Sequence, residues 1–380
     1  MDDQRTTSSP VRRRTLRMAS VLAVGAGLTL SACGSASKQS PASAVDSAVS
    51  SLGSSSSLDM HLSLGISPAQ AETLGGKSGS HMTAADATAL TKGSIFFATQ
   101  TGHGEALDSK QALTDSSNAF DLGLQFGSQK PLELKYIDQN LYLRADADQL
   151  LTDLGQSPSK ADGFKRTLAQ INTVVPGISD LGGPGWVEVS HSSLLSVENL
   201  LKQLGASQGS TQPSPAQLQT AMTQLRTDAL NALKANSTFT SMGSSGGTAE
   251  YAMTVDVHSF LAAFGPALQK DLGALPFVGT KANSSFTKLQ DKVPAGRKAT
   301  ADLYATGGKL SGISVDLNQF AGKQKVNFAV PVKAAFTTPP AISAPAGATN
   351  LDLKNLPQLL QQILGGLGAN KSTSGSGSSL

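Results

Sequence analysis

Residues 120–126 read FDLGLQF and residues 132–136 read LELKY, and these two stretches decide the fold. In both, apolar and polar residues alternate, with Gly123 on the polar side. Successive side chains of a β-strand point to opposite faces, so each stretch predicts a strand with one apolar and one polar face. Two-faced strands are typical of antiparallel sheets, whereas strands of a parallel, doubly wound sheet are apolar on both faces. The pattern therefore excludes Rossmann-like nucleotide-binding folds.

The same alternation recurs around residues 251–257, 313–317 and 326–332. Several predicted strands lead into a short amphipathic helix that a Ser or Asp opens and a Gly ends, which is the usual helix punctuation. One such helix runs from Asp146 to Gly155 and another from Ser259 to Gly273. The apolar stripe of each helix must be covered, and the apolar face of the sheet can cover it. We therefore predict an α+β fold, with a large antiparallel sheet and helices on one face.

The N-terminal segment is typical of an export signal. Arginines at positions 12, 13, 14 and 17 precede an uncharged stretch, Met18 to Leu30. As a helix this stretch would span about 20 Å, less than the roughly 30 Å of a hydrocarbon core, so it fits the apolar region of a signal peptide. Arg13 and Arg14 also fit a twin-arginine signal, so the export route stays open.

Leu30, Ser31, Ala32 and Cys33 follow the apolar stretch directly. This sequence resembles the lipobox of bacterial lipoproteins, in which the Cys thiol receives a diacylglyceryl group. The resemblance implies that Leu30, Ser31 and Ala32 are read by the processing machinery, that cleavage falls after Ala32, and that Cys33 carries the lipid. It predicts a protein anchored through Cys33 to the extracytoplasmic face of the cell membrane.

The net positive charge of the chain comes from the predicted export signal. Removing residues 1–32 removes five Arg and two Asp, which leaves 25 basic and 25 acidic residues. A neutral, mixed surface lacks the basic footprint that nucleic acid requires, so nucleic-acid binding is excluded. The single Cys excludes a disulfide framework and a zinc site built on several thiolates.

The predicted organisation has four parts. Residues 1–32 are the signal peptide, residues 33–57 the lipidated Cys and a Ser-rich tether, residues 58–368 a single α+β body, and residues 369–380 a polar tail that we expect to be disordered. A short helix is expected at residues 45–52. Residues 66–92 are expected to be loop-like, and residues 190–245 to form a helical insertion.

The order of these features resembles the half-barrel lipoproteins of the actinobacterial cell envelope, which include mycobacterial glycolipid carriers and are related in fold to the periplasmic lipoprotein carriers. The likeness rests on the lipobox and tether, the turn at residues 137–142, the sequence GWVE at residues 185–188, and the late strands at residues 299–335. It covers residues 44–368 and implies a curved half-barrel sheet with helices on its concave face. Since only Cys33 matches a position of defined chemistry, the resemblance places no ligand-binding residue.

Matches to catalytic motifs lack the context that those motifs need. Residues 243–247 read GSSGG and fit G-x-S-x-G, but they lie in a Ser-rich segment rather than between a strand and a helix. The sequence at residues 75–78 is GGKS, but Ala71 stands where a phosphate loop has its first Gly.

Other polar and aromatic residues have structural interpretations. The five histidines lack local metal-ligand spacing; His103 near Glu105 and His258 near Asp256 come nearest to a base with an orienting carboxylate. Asp146 and Asp148 fit helix capping better than cation binding, and Trp186 fits an anchor that packs a strand onto a helix. We expect no catalytic residue, metal or cofactor, and hence no enzyme.

Two functions agree with these observations. In the first, the curved sheet encloses an apolar cavity and carries a lipid or glycolipid, whose burial stabilises the complex by about 0.8 kcal/mol per CH₂ group. In the second, the sheet is solid and the anchored domain binds an envelope protein or glycan. A cavity of several hundred Å³ favours the carrier. The family resemblance makes the carrier the preferred hypothesis.

The Cys33→Ala variant tests the predicted anchor. We expect the protein to be released from the membrane or to remain an uncleaved precursor, because a Cys is needed for both lipid attachment and cleavage. Fractionation and intact mass of the wild-type and variant proteins measure this. Normal processing and membrane retention of the variant would contradict the assignment.

Overall fold

The computed structural model describes residues 39–77, 82–109, 111–112, 115–196, 215–273, 291–322, 325–351 and 353. The helices are α1 (Pro41–Gly53), α2 (Pro68–Lys77), α3 (Ala84–Lys92), α4 (Ala147–Asp153), α5 (Asp162–Ile171), α6 (Pro215–Ala235) and α7 (Val257–Gly273). Residues 191–196 are also helical. The strands are β1 (Ser57–Leu64), β2 (Gly93–Gln100), β3 (Ala119–Phe126), β4 (Gln129–Ile137), β5 (Asn140–Ala145), β6 (Val187–Val189), β7 (Ser237–Ser245), β8 (Thr248–Asp256), β9 (Lys298–Thr306), β10 (Lys309–Asp316), β11 (Pro331–Thr337) and β12 (Thr349–Asn350).

All twelve strands belong to one open sheet, in the order β12-β6-β5-β4-β3-β2-β1-β11-β10-β9-β8-β7. Every neighbouring pair is antiparallel except β6 and β12, which are parallel and share two residue pairs. The predicted α+β fold with a large half-barrel sheet is confirmed. Within the described residues, we find no helix with the length and apolar character needed to cross a membrane.

The register of the central strands sorts their side chains onto two faces. Ile95 of β2 lies opposite Leu124 of β3, which lies opposite Leu132 of β4. The next row on the same side continues through Phe97, Leu122 and Leu134. We call this side the apolar face, and the opposite side, which carries Asp121, Gly123 and Glu133, the polar face.

Helix α1 packs on the apolar face over the half of the sheet formed by β7, β9 and β10. Ser40 caps its first turn by accepting a hydrogen bond from the backbone N–H of Ser43. Val45, Ala48 and Leu52 recur at helical spacing and are buried. They pack in one cluster with Leu58, Leu303, Ala305, Leu310, Ala334 and Phe336.

This packing corrects the predicted tether at residues 33–57. The short helix expected at residues 45–52 is present and extends over Pro41–Gly53, but it belongs to the core rather than to a flexible segment. The abundant Ser residues face away from the contact or hydrogen-bond within the helix end, as Ser51 and Ser55 do. The Ser-rich composition of residues 41–53 therefore predicted a tether although Val45, Ala48 and Leu52 form an apolar stripe that packs on the sheet.

The predicted helical insertion at residues 190–245 is wrong over its last part. Helix α6 ends at Ala235, and Ser237–Ser245 forms the edge strand β7, paired with β8 along its length. Phe239 lies opposite Met253, so the weak alternation of this Ser/Thr-rich stretch still matches the two faces of the sheet. Residues 66–92, expected to be loop-like, contain α2 and α3 instead.

Two further boundaries differ from the prediction for local reasons. Residues 326–330 are irregular although they alternate, because the Asn318 side chain donates hydrogen bonds to the carbonyls of Val326 and Phe328 and accepts one from the Val326 N–H. Helix α7 begins at Val257 rather than at the predicted Ser259. The Asp256 side chain caps it by accepting a hydrogen bond from the Ser259 N–H.

Replacing Leu52 with Ala tests whether α1 belongs to the core. We expect a loss of about 2–4 kcal/mol in the free energy of unfolding, because a buried side chain would leave a cavity against the sheet. The matched control on the same helix is Asp46→Ala, which removes a surface ion pair with Lys234 (3.2 Å) and should cost less than about 1 kcal/mol. Denaturant unfolding measures both, and equal small effects would place α1 outside the core.

Candidate functional site

The sequence-predicted site lies outside the described residues. Leu30, Ser31, Ala32 and Cys33 fall in residues 1–38, for which no structure is described. The predicted tail at residues 369–380 also lies outside them. Anchoring through Cys33 therefore stays a prediction, and the structural candidates for function lie on the sheet itself.

An apolar patch on the central strands is the first candidate. Ile95, Leu122 and Leu132 lie on the apolar face of β2, β3 and β4 and are exposed by 49%, 41% and 41%. Half-buried Phe97, Leu124 and Leu134 lie opposite them across the strands. We call these six residues the apolar patch. A contiguous apolar surface of this kind on a soluble domain indicates a binding surface.

The patch lies beside a well-covered part of the same face. Helix α1 contacts β7, β9 and β10, and the buried Ala334 and Phe336 of β11 extend that cluster toward β1. In the next row of β3 and β4 on this face, Phe120 stacks on Tyr136 with ring centroids 5.2 Å apart. Among the described residues, the patch is thus an uncovered part of the apolar face.

A small depression lies elsewhere on the sheet. It has a volume of about 180 Å³ and lies between β9, β10 and β11, where Gly312 leaves space beside Tyr304 and Lys333. Ligand pockets for molecules of ordinary size measure roughly 300–1,000 Å³, so this depression is too small for an acyl chain of a dozen carbons. The apolar patch, an open surface rather than a closed cavity, is the better candidate.

The polar face of the same strands is buried, although two-faced antiparallel strands commonly turn their polar side to water. Asp121 and Glu133 have side chains exposed by only 8% and 4%. Lys130 and Lys135 each lie 3.4–3.8 Å from both carboxylates, and Arg144 donates a hydrogen bond to Glu133. We call these five residues the charge cluster. Each carboxylate has cationic partners, so the cluster cross-links β3, β4 and β5.

Trp186 covers the charge cluster. Its ring lies 4.8 Å from the Arg144 guanidinium and 5.3 Å from the Lys135 ammonium, measured to the ring centroid. Like Ile342 and Ala348 of the segment between β11 and β12, it packs against the buried Ala119, Ile137 and Tyr142. Among the described residues, the partners of Trp186 are therefore two cations and the strands themselves, rather than the predicted helix.

Burial perturbs the acid at the centre of this cluster. Desolvation, and next the nearby Glu133, raise the pKa of Asp121 to about 6, although Lys135 and Lys130 oppose the shift. The Oδ1 atom of Asp121 is buried and has no hydrogen-bond partner among the described residues. The carboxylate is therefore held in a place that disfavours its charge, and only the lysines make ionisation near neutral pH feasible.

The described histidines have different surroundings. His61 contacts Asp59 at 3.0 Å, and His258 Nδ1 lies 2.8 Å from the carbonyl of Val293. His103 contacts Asp115 at 2.7 Å and Glu105 at 3.9 Å. The interpretation of Asp146 and Asp148 as structural agrees with the fold: Asp146 caps α4 and Asp148 pairs with Lys165.

The group around His103 is not a catalytic triad. Ser117 Oγ and Asp115 both approach the same ring nitrogen, Nδ1, and Ser117 Oγ donates to Asp115 Oδ1 at 2.6 Å. A triad needs the nucleophile and the acid on opposite ring nitrogens. Hydrogen bonds from Ser117 lower the pKa of Asp115 to about 2, and the hydrogen bond that Asp115 accepts from the imidazole raises the pKa of His103.

Comparison with known proteins identifies no family. No protein-family model matches the chain, and no curated protein sequence matches it. Among solved structures, the chain is similar to the crystal structure of the Mycobacterium tuberculosis lipoprotein LppX, with 9% sequence identity and a TM-score of 0.30 over 81% of this chain and all of the other. A likeness at this level carries no conclusion about ligand or activity.

The sequence identified part of each surface but not its environment. The alternation placed Leu122 and Leu132 on the apolar face and Asp121 and Glu133 on the polar face, as the register confirms, but it did not predict β2, which carries Ile95 and Phe97. It did not show which face is covered. One signal was available: three acids and three bases lie within residues 121–144, and this balance of charge indicates mutual neutralisation and hence tolerance of burial.

The Asp121→Asn variant tests the buried carboxylate through pH. Because the folded-state pKa of about 6 exceeds the unfolded value of 3.8, unfolding releases a proton between these values, and wild-type stability falls as pH rises from about 4 to about 6. Asn cannot ionise, so the variant should gain about 2–3 kcal/mol relative to wild type across this window. Denaturant unfolding at pH 4, 5, 6 and 7 measures the difference, and a constant difference would contradict the raised pKa.

Proposed function

We propose that the protein is a lipoprotein of the cell envelope, anchored at the extracytoplasmic face of the membrane through Cys33, that binds a lipid or another hydrophobic ligand without catalysing a reaction. The single observation that carries the binding proposal is the exposed apolar patch on a sheet face that, among the described residues, α1 covers at β7, β9 and β10. The lipobox carries the anchoring proposal.

The shape of the patch suits an elongated apolar ligand. Its two rows cross β2, β3 and β4, and neighbouring strands are about 4.8 Å apart, so a chain lying along a row contacts one side chain per strand. Each CH₂ group removed from water contributes about 0.8 kcal/mol, so a long acyl chain needs no precisely placed polar group. This agrees with a surface made of aliphatic and aromatic residues alone.

A glycan is a poorer fit to the described surfaces than an apolar ligand. Sugar rings stack on exposed aromatic faces, whereas the Trp186 ring already contacts Arg144 and Lys135. An apolar segment of a partner protein would use the same patch as a lipid, and the experiment below separates the two.

Paired serine substitutions in the patch test the proposal. The variant Ile95→Ser/Leu122→Ser would be made in the chain from residue 33 onward, with Cys33→Ser to remove the anchor. We expect wild type to bind a fluorescent long-chain fatty acid and the variant to bind it at least about 10-fold more weakly, because each lost side chain removes apolar contact area. Native mass spectrometry and organic extraction would show any lipid that copurifies.

The matched control is Met242→Ser, since Met242 on β7 is 61% exposed but lies outside the patch. It should bind the fatty acid as wild type does. A wild-type protein that neither binds the fatty acid nor copurifies with lipid would overturn lipid binding and direct the search to a protein partner. A loss of more than about 2 kcal/mol of folding stability in the double variant would show that the chain itself covers the patch, and would also overturn the proposal.

A further inference from the structure

The connection between β2 and β3 brings together three side chains that commonly bind metals. His103 and Glu105 lie in its first arm and Asp115 in its second. The His103 Nδ1 atom is 2.7 Å from Asp115 Oδ2 and 3.9 Å from Glu105 Oε1, and one ligand atom from each residue lies within 4.8 Å of the others. The group is distinct from the apolar patch and from the charge cluster.

The two arms are held together at Gly102. A Cβ atom there would lie only 1.7 Å from Ser117 Oγ, so only glycine permits this approach of the arms. The Gly102 N–H donates to the Asn118 side chain at 3.2 Å. The side chain of buried Thr101 donates to the Glu105 carbonyl at 2.8 Å, which fixes the backbone beside the second acid.

The orientation of the Asp115 carboxylate is also set by its surroundings. The Ser117 N–H and hydroxyl both donate to Oδ1, at 2.9 and 2.6 Å, which leaves Oδ2 directed at His103. Metal-binding carboxylates are typically oriented in this way, with one oxygen held by the protein and the other free for the ion.

One oxygen of the Glu105 carboxylate, Oε2, is buried and lacks a hydrogen-bond partner among the described residues. A buried carboxylate oxygen without a partner is costly. The other oxygen, Oε1, faces His103 Nδ1 at 3.9 Å, so a cation beside Oε1 would offset part of the cost of burying this carboxylate. The imidazole of His103 is 69% exposed, so it can adjust its position and leave room for a water ligand.

We propose that His103, Glu105 and Asp115 form a binding site for a divalent transition-metal ion, with Zn²⁺ as the best-fitting ion. One imidazole nitrogen and two carboxylate oxygens are ordinary Zn²⁺ ligands at about 2.0–2.2 Å, and a tetrahedron with such bonds has edges of about 3.4 Å. The present separations bracket that value, so small side-chain movements complete the site. Ca²⁺ and Mg²⁺ favour oxygen ligands alone and suit it less well.

The bound ion would join the two arms of the connection. This connection also contacts the end of α1, through hydrogen bonds from Leu107 N–H to the Ser55 carbonyl and from Asp108 N–H to the Gly53 carbonyl. Metal binding would therefore stabilise one end of the sheet beside the helix that covers it. The sequence predicted no metal site because Asp115 is 12 residues away from His103 in the chain, and only the fold brings the two side chains together.

Zn²⁺ titration of the untagged full-length chain in detergent micelles tests the site. We expect one Zn²⁺ per chain by calorimetry, with binding at least 10-fold weaker in both His103→Ala and Asp115→Asn. The control is His191→Ala, an exposed histidine outside the group, which should bind as wild type does. Mg²⁺ at the same concentrations should not compete.

Two results would overturn the proposal. One is a wild-type chain that takes up no Zn²⁺, which would leave His103 and Asp115 as an ion pair only. The other is uptake that His103→Ala and Asp115→Asn leave unchanged. Because His103 is exposed, the His103→Ala variant should keep the wild-type unfolding midpoint in the absence of metal. A further variant, Glu105→Gln, should also bind Zn²⁺ more weakly and so tests the third ligand independently. None of these results depends on lipid binding.

Discussion

The cross-strand register of β2, β3 and β4 is the constraint on which the rest of the structure depends. It aligns Ile95, Leu124 and Leu132 in one row and places Asp121 and Glu133 on the opposite side. A register shift of one residue in β3 or β4 would exchange the two faces of that strand. Its acidic side chain would then lie on the apolar face, and its aliphatic side chains would lie on the side of the charge cluster. Register, not the identity of any one residue, therefore determines what each face can contact.

The two faces are covered in a way that reverses the usual order. At the central strands, the polar face is buried beneath Trp186 and the segment between β11 and β12, while part of the apolar face remains open. Burial of Asp121 and Glu133 is tolerated because three cations neutralise them. The desolvation cost that these cations do not offset raises the pKa of Asp121. The cost of an open apolar patch has no such compensation within the described residues, and this is the observation on which the proposed ligand binding rests.

The proposed functions use different parts of this architecture. Lipid binding would use the exposed centre of the apolar face, and metal binding would use a turn at the sheet end, where Gly102 allows two arms to touch. Anchoring depends on Cys33, outside the described residues. The three are separable by substitution because no residue is shared among them.

The sequence by itself determined the α+β class, the antiparallel sheet and the faces of strands such as β3 and β4, because alternation with period two is a local property of the backbone. It also carries the resemblance to a lipobox, which depends on linear order alone. Only the tertiary structure decided which face is covered, that residues 41–53 are core rather than tether, and that Asp115 meets His103. These depend on contacts between segments distant in sequence, and in the Ser-rich helix α1 three apolar residues sufficed because the sheet provided a complementary surface.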